Sequence, residues 1–396
     1  MARLGVVADG AIAVHEGRIV AVGPTDDIGR RYTADEEIDL SGFVVLPGFV
    51  DCHTHPVFAN TRHDEFHLRC AGADYMAIAA AGGGILSSMR AVREASEVTL
   101  LAKVREHFDG FLRHGTTTIE AKSGYGLSTA AELASLRALT ELRLAHPLTV
   151  SRTFLGAHEF PPEFRADREG YLRLLIDEML PAVVAEGLAE SADVFAEPGV
   201  FDREQTARVL RAARDLGLRL RVHADELQPM GGAELAVELG ADSADHLGRI
   251  SLEGQDRIAA STTTAVLLPG TTFFLSKPFA APGRSLLDKG AAVALATDFN
   301  PGSCYTQSMP LIISLGCIAL KMTPEECVVA PTLNPAASLH LDAEVGSLHP
   351  GKRADFAVLA LPTYRALGYT LGGNPVAMTV KDGVPVVVQQ EEWRDG

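Results

Sequence analysis

The chain is short of positive charge, of aromatic side chains and of pairable cysteines, and these shortages narrow what it can do. Thirty-five lysines and arginines stand against 51 aspartates and glutamates, a formal net charge of −16. A groove that tracks phosphates needs a net basic face, so nucleic acid is excluded as the main partner. A small anionic substrate, by the same reasoning, needs a local cationic clamp. The five cysteines, Cys52, Cys70, Cys304, Cys317 and Cys327, are odd in number and scattered. They show no disulfide frame and no zinc-knuckle spacing, which points to a reducing cytoplasm. The start, MARLGVVADGAIAVHEG, lacks the basic residues and unbroken apolar core of a signal peptide. The stretches Ile258–Ser276 and Phe299–Leu320 are long and uncharged but interrupted by polar residues and proline. A membrane helix needs roughly 20 mostly apolar residues, so a soluble protein with no membrane partner is expected.

What is present is enough for a large core: 396 residues, 47% hydrophobic and 22% charged. That length suits an α/β barrel of about 250 residues with a smaller companion. Near the start, AIAVHEG, RIVAVGP and EIDLSGFVVL alternate short β-rich pieces with turns. Near the end, VGSLHPGKRADFAVLALP and VAMTVKDGVPVVV repeat that style, with KDG as a hairpin turn. Neither end can bury a core alone. Residues 1–46 and 345–396 are therefore expected to form one composite β-sandwich beside a barrel spanning 47–344. Inside that span short apolar strands alternate with helical stretches, the pattern of a parallel sheet with helices outside. Strand candidates end at Val50, Ile119, Leu155, Val194, Val222, Ala244, Leu268 and Ala296. Eight such units predict an α/β fold, a (β/α)8 TIM-type barrel with its chemistry on the C-terminal rim.

The residues just past those ends carry the chemistry. PGFVDCHTHPVFANTRHD sets His53 and His55 after the first strand, and strand residues two apart point to the same side. LRLRVHADE puts His223 at the fifth strand end with Asp225 and Glu226 beyond it. DSADHLG gives His246 after the sixth, and GAAVALATDFNPGS is almost wholly apolar until Asp298. His53, His55, His223 and Asp298 make a nitrogen and oxygen set that zinc or ferrous iron accepts, with a position open for water. Singly, each reads as a structural histidine or a turn-capping aspartate. In order on one rim they point to a metal.

With those positions in place the chain resembles the amidohydrolase superfamily of metal-dependent hydrolases, through PGFVDCHTH, the composite terminal sandwich and the closing GSLHPGKRADFAVL. Further stretches narrow the resemblance to the branch that opens a ring amide in histidine degradation. They are FANTRHDEF, AGGGILSSMRAVREAS, GTTTIEAKSGYGL, FLGAHEFPPEF, RVHADELQPMGGAELAVELGADSADHLG and ATDFNPGSCYTQSMPLIISLGCIALKMTPEEC, which run along most of residues 43–340. The resemblance implies hydrolysis of a cyclic amide bearing a propionate arm. It also implies one divalent metal, Zn2+ or Fe2+/Fe3+, on His53, His55, His223 and Asp298, and a homodimer. A ring amide resists neutral water, and a metal lowers a water's pKa from about 15.7 to about 7 while polarising the carbonyl. Asp298 and His246 could take the water's proton and stabilise the oxyanion, and Glu226 could bond the ring nitrogen and protonate it as the carbon–nitrogen bond breaks. The division between Glu226 and His246 stays open at this point. Glu226 also reads as the acidic start of the next helix, and His246 as a residue that orients a ligand.

Arg62, seven residues past His55, suits a bidentate clamp on the propionate, with a loop salt bridge to Asp64 or Glu65 as the alternative. Tyr125 in SGYGL and His158 in LGAHEF match positions that contact the ring or side chain in that branch; on their own they read as a turn residue and a helix-start histidine. Asn300, Gly302 and Ser303 could present an amide, N–H groups and a hydroxyl to a carboxylate or the opened product, although NPGS is equally a turn. The run Ala81–Gly84 has no lysine–serine pair and so is no phosphate loop; it suggests a tight turn before a helix from Ile85 and a flap near Tyr75. Many relatives bridge two metals with a modified fourth-strand lysine. Here SADVFAEPGVF offers Glu197 instead, and Lys122 follows the second strand, so a single metal is expected. A nucleobase aminohydrolase would use the same ligand frame. Arg62 with Tyr125 separates the two readings, because a neutral base gives a guanidinium clamp nothing to hold. A non-catalytic scaffold is the other alternative, opposed by retention of every ligand together with Glu226 and His246.

Overall fold

Gly48 is where the chain passes from one layer to another, and only glycine fits there: a Cβ would lie 2.2 Å from the Thr117 hydroxyl oxygen. The structure is a computed structural model that describes residues 4–72 and 83–389, so the flap read near Tyr75 and the first residues of the Ala81–Gly84 turn lie outside the described residues. Before Gly48 come β1 (Gly10–His15), β2 (Arg18–Pro24) and β3 (Val44–Pro47). After it run β4 (Phe49–Asp51), β5 (Thr116–Lys122), β6 (Thr149–Ala157), β7 (Ser191–Ala196), β8 (Arg219–Ala224), β9 (Ser243–His246), β10 (Thr264–Leu267) and β11 (Val293–Leu295). The chain closes with β12 (Phe356–Leu359), β13 (Val376–Lys381) and β14 (Val384–Val388).

Strands β4 to β11 form one parallel sheet in strict sequence order. Their residues are buried almost throughout, as strands covered by helices on the outside and packed against one another inside must be. The first and last strands meet through side chains and loop backbone. Thr297 donates from its N–H (3.1 Å) and its hydroxyl (2.6 Å) to the Asp51 carboxylate. The Asp298 N–H reaches the His53 carbonyl (3.0 Å), and the His55 N–H reaches the Phe299 carbonyl (2.9 Å). The TIM-type architecture expected from the strand–helix alternation is thus observed.

The outer helices follow from local signals. Arg203–Asp215 starts at a reciprocal capping box between Asp202 and Gln205 and buries Ala207, Leu210 and Ala213 on one stripe. Strands from both chain ends join in a second, antiparallel sheet of order β14-β13-β12-β3. The β1–β2 hairpin packs over it, with Ile19, Ile12 and Val22 against Phe356, Val358, Met378 and Val380. KDG is the turn between β13 and β14, with Asp382 and Gly383 both at positive φ. Among the described residues no helix is long and apolar enough to cross a membrane.

Candidate metal centre

The β4–loop segment and the end of β8 deliver three imidazoles to one point. His53 Nε2 lies 3.2 Å from His55 Nε2, which lies 3.4 Å from His223 Nε2. Asp298 Oδ1 approaches His55 Nε2 at 3.3 Å and His53 Nε2 at 3.6 Å. All four side chains are buried. His53 Nδ1 faces Asp245 Oδ2 at 2.6 Å and His223 Nδ1 faces Asp193 Oδ2 at 3.0 Å. A carboxylate accepts, so each Nδ1 carries the proton and each Nε2 is left with its lone pair. Lone pairs and a carboxylate gathered at such distances repel one another, and a cation among them removes the conflict. His53, His55 and Asp298 form one group with the spacing of metal ligands, and His53, His223 and His246 form another.

Burial pushes the His53 imidazole well below its ordinary range and His55 down to about 4, which keeps both neutral and able to ligate. Burial also works to raise Asp298, but the neighbouring His55 and His246 imidazoles outweigh it and hold the carboxyl at about 2. His223 is lifted instead: burial lowers it, and Asp193 more than compensates.

Behind the cluster stands a layer of charge that sequence reasoning missed. Lys122 Nζ bridges Glu120 Oε1 (2.7 Å) and Asp193 Oδ2 (2.8 Å), all fully buried. Lys122 was expected beyond the second strand; it is in fact the last residue of β5, locked between carboxylates. Burial lowers its amine, yet Asp193 and Glu120 overcome this and raise it. Arg221, also fully buried, donates from Nη2 to the Cys52 carbonyl at 3.0 Å, with Asp245 Oδ2 at 3.9 Å. Burial raises the Asp245 carboxyl, and Arg221 and Lys122 pull it the other way. Such partners fix the tautomer and ring orientation of ligating histidines.

Glu226 and His246 meet beside the cluster, with His246 Nδ1 3.6 Å from Glu226 Oε2 and His246 Nε2 buried without a partner. The reading of Glu226 as the acidic start of the following helix does not hold. Asp225 does that work, accepting N–H groups from Met230 (2.7 Å), Gly232 (3.1 Å) and Ala233 (2.9 Å), which leaves the Glu226 carboxylate uncommitted to the helix. Asp225, His246, Leu247 and Asp298 all have φ between 50° and 75°. Left-handed backbone at four non-glycine positions around one point is strain concentrated at a site.

The amidohydrolase family model matches residues 44–386, and a model for the bacterial imidazolonepropionase-like composite domain matches residues 10–34. An imidazolonepropionase of Symbiobacterium thermophilum is 50% identical over 386 residues, covering 96% of this chain and 91% of the relative. The chain belongs to the imidazolonepropionases of the amidohydrolase family. An imidazolonepropionase of Parabacteroides distasonis is 48% identical, covering 97% of this chain and 92% of its own. Among solved structures, E. coli guanine deaminase superposes with a TM-score of 0.75 at 17% identity, covering 97% of this chain and 93% of that one. A zinc-bound adenosine deaminase from Xanthomonas campestris gives 0.74 at 20% identity, covering 97% and 90%. At those identities the two deaminases establish the fold alone.

The remaining sequence-predicted residues lie around the cluster. Tyr125 is buried, its ring centroid 6.2 Å from His55 and 5.3 Å from His158. His158 stacks on His55 at 5.2 Å, and its Nδ1 meets the Gly124 carbonyl at 2.9 Å. Arg62 makes the loop salt bridge to Glu65, donating from Nε (2.9 Å) and Nη2 (2.6 Å). Its Nη1 edge remains against Gly302, where a Cβ would come within 2.1 Å. Arg69 adds a second guanidinium there, donating to the Gly302 carbonyl at 3.0 Å. The expected roles of Asn300 as an amide donor and of the Gly302 and Ser303 N–H groups meet a competing use. Asn300 Oδ1 accepts both of those N–H groups (2.8 and 2.7 Å), while its Nδ2 donates to the Asp298 carbonyl (2.7 Å) and to Ser303 Oγ (2.8 Å). In the structure NPGS is a turn that shapes the Asp298 loop.

Proposed function

We propose that this chain hydrolyses the ring amide of 4-imidazolone-5-propanoate to N-formimino-L-glutamate, a cyclic-amide hydrolysis in histidine catabolism (EC 3.5.2.7). The observation that carries the reading is the His53, His55 and Asp298 group with His223 Nε2 3.4 Å from His55 Nε2, in a chain 50% identical to an imidazolonepropionase along almost its full length. The unpartnered lone pairs fit one divalent cation, and the nitrogen and oxygen set accepts Zn2+ and Fe2+/Fe3+ alike. When bound, such an ion acidifies water and polarises a carbonyl. The chain's own residues do the rest. Asp298, ionised at neutral pH, accepts the proton of the attacking water. His246 Nε2, buried and without a partner, steadies the charge developing on the carbonyl oxygen as a donor, with the ring as the Nε2–H tautomer or as an imidazolium that also faces Glu226 through Nδ1. Glu226 hydrogen-bonds the ring nitrogen and helps deliver to it the proton that Asp298 took from the water, so that the carbon–nitrogen bond opens with no net change of protons. Tyr125 and His158 wall the ring, and Asn300 holds Gly302 and Ser303 in the loop against which the substrate's arm lies. Five free cysteines suit a reducing cytoplasm, and the family resemblance supports a homodimer.

The test is ultraviolet loss of imidazolonepropionate on metal-loaded protein, with spontaneous decay subtracted. Activity should vanish on chelation and return with Zn2+ or Fe2+, and the product should be formiminoglutamate. No loss above background in protein shown to hold metal would remove this substrate.

The Arg62 clamp has its own test. Arg62→Met should raise KM for the propionate substrate by about tenfold or more with kcat little changed, as expected for a lost charge-assisted contact. An unchanged KM would assign Arg62 to Glu65 alone.

A further inference from the structure

The AVREAS stretch has taken no part in the chemistry so far, and its arginine reaches the site from outside. Arg93, on the helix Ile85–Glu94, donates from Nε to the Gly126 carbonyl (2.7 Å) and from Nη2 to the Leu127 carbonyl (2.8 Å). On the other side Glu132, fully buried in the helix Thr129–Ala145, accepts the N–H groups of Gly124 (3.0 Å), Gly126 (2.7 Å) and Leu127 (2.8 Å). One short loop thus has its carbonyls held by a cation and its amides by an anion. Glu163, 2.8 Å from Arg93 Nη2, keeps the guanidinium in place. The loop's backbone is unusual. Gly124 has φ +113°, where a Cβ would lie 2.9 Å from the Leu155 carbonyl oxygen, and Leu127 has φ +51° without being glycine. Conformations of this kind persist only where the surroundings over-determine them.

What the loop carries is Tyr125, and what its Gly124 carbonyl holds is His158 Nδ1. With that nitrogen donating, His158 Nε2 is left as an acceptor beside the metal ligands. We propose that Arg93 and Glu132 are positioning residues for substrate recognition: together they fix the 123–127 loop so that Tyr125 and the His158 Nε2 acceptor meet the substrate's ring. This rests on the reading of Tyr125 and His158 as substrate contacts.

The experiment compares wild type, Arg93→Ala and Arg93→Lys with metal loaded, by steady-state kinetics and by amide hydrogen exchange without substrate. Arg93→Ala should raise KM about tenfold with kcat within about twofold, at unchanged metal content. Exchange in the 123–127 loop should quicken about tenfold, and added guanidinium ion should reverse both changes in part, because the Arg93 side chain is 26% exposed. Arg93→Lys, which keeps the charge but not the two-pronged geometry, should fall between. Unchanged KM and exchange would overturn the proposal. So would a fall in kcat, metal content and melting temperature together that guanidinium does not relieve, since that is what a merely structural arginine gives. If wild type fails to turn over imidazolonepropionate, the functional reading falls alone: loop exchange and its guanidinium recovery still decide the clamp, and unaltered exchange would reject it.

Discussion

Asp298→Asn is expected to lower kcat/KM by about a thousandfold or more, the scale of a lost general base. The substitution keeps side-chain volume and removes the charge, the proton acceptor and a carboxylate of the proposed metal set, so the assay is run at matched metal content. Asp298 is held ionised at about 2, so the wild-type site presents an anion to His53 and His55 at every working pH. An asparagine in its place offers a carbonyl or an amide, neither of which accepts a proton at neutral pH. The fold should survive. The bond that closes the barrel here uses the residue's backbone N–H, and the Thr271 hydroxyl, now 2.5 Å from Oδ2, can still donate to an amide oxygen. Circular dichroism beside the assay separates the two effects. A variant that folds normally and keeps activity within about tenfold would remove Asp298 from the proton transfer.

The second large effect lies behind the ligands. Asp245→Asn should weaken metal affinity by about 10- to 100-fold, as expected for the partner of a ligating histidine. His53 would lose a charged acceptor at 2.6 Å, and with it the force that keeps its Nε2 lone pair turned inward. A second cost arises because Arg221 is fully buried with Asp245 as its nearest counter-charge, 3.9 Å away. Removing one partner of a buried pair costs about 3–5 kcal/mol, so the metal-free variant should melt well below metal-free wild type. Chelator competition reads the first effect and calorimetry the second. Affinity and melting temperature both unchanged would mean that His53 is oriented by its neighbours alone.

The strand–helix alternation and the rim cluster of His53, His55, His223 and Asp298 were legible in sequence because each depends on local pattern. An apolar run that stops at a histidine or an aspartate marks a strand end, and such ends cluster once a parallel barrel is assumed. Strand boundaries were less legible where charge lies inside a strand. The second strand seemed to end at Ile119, yet Glu120 and Lys122 continue it, because in a closed barrel an inward-facing charge can be paired across strands. Asp193, Arg221 and Asp245 escaped notice for the same reason: each finds its partner on a different strand, and one sequence does not say which residues face which. A signal did exist. SADVFA, RLRVHA and SADH carry charged residues in strands buried on both faces, where an unpaired charge is prohibitive. Arg62 shows the limit at loops. Its salt bridge and its clamp role were both readable, and the structure shows the bridge to Glu65 with a second edge of the guanidinium still against Gly302.

The seam between β4 and the segment after β11 has a consequence for the order of events in the cell. The residues that fasten it, Asp51 to Thr297, His53 to Asp298 and His55 to Phe299, are 246 positions apart at their first pair and include ligands of the cluster. A ribosome releases the His-x-His pair early and Asp298 only after most of the barrel has been made. The nascent chain therefore holds imidazoles without their carboxylate for most of its synthesis, and the complete ligand set arises in the same step that joins the barrel's two ends. A cation that needs all four of these groups can be held in full only after the barrel's two ends have joined, so its binding would track completion of the fold.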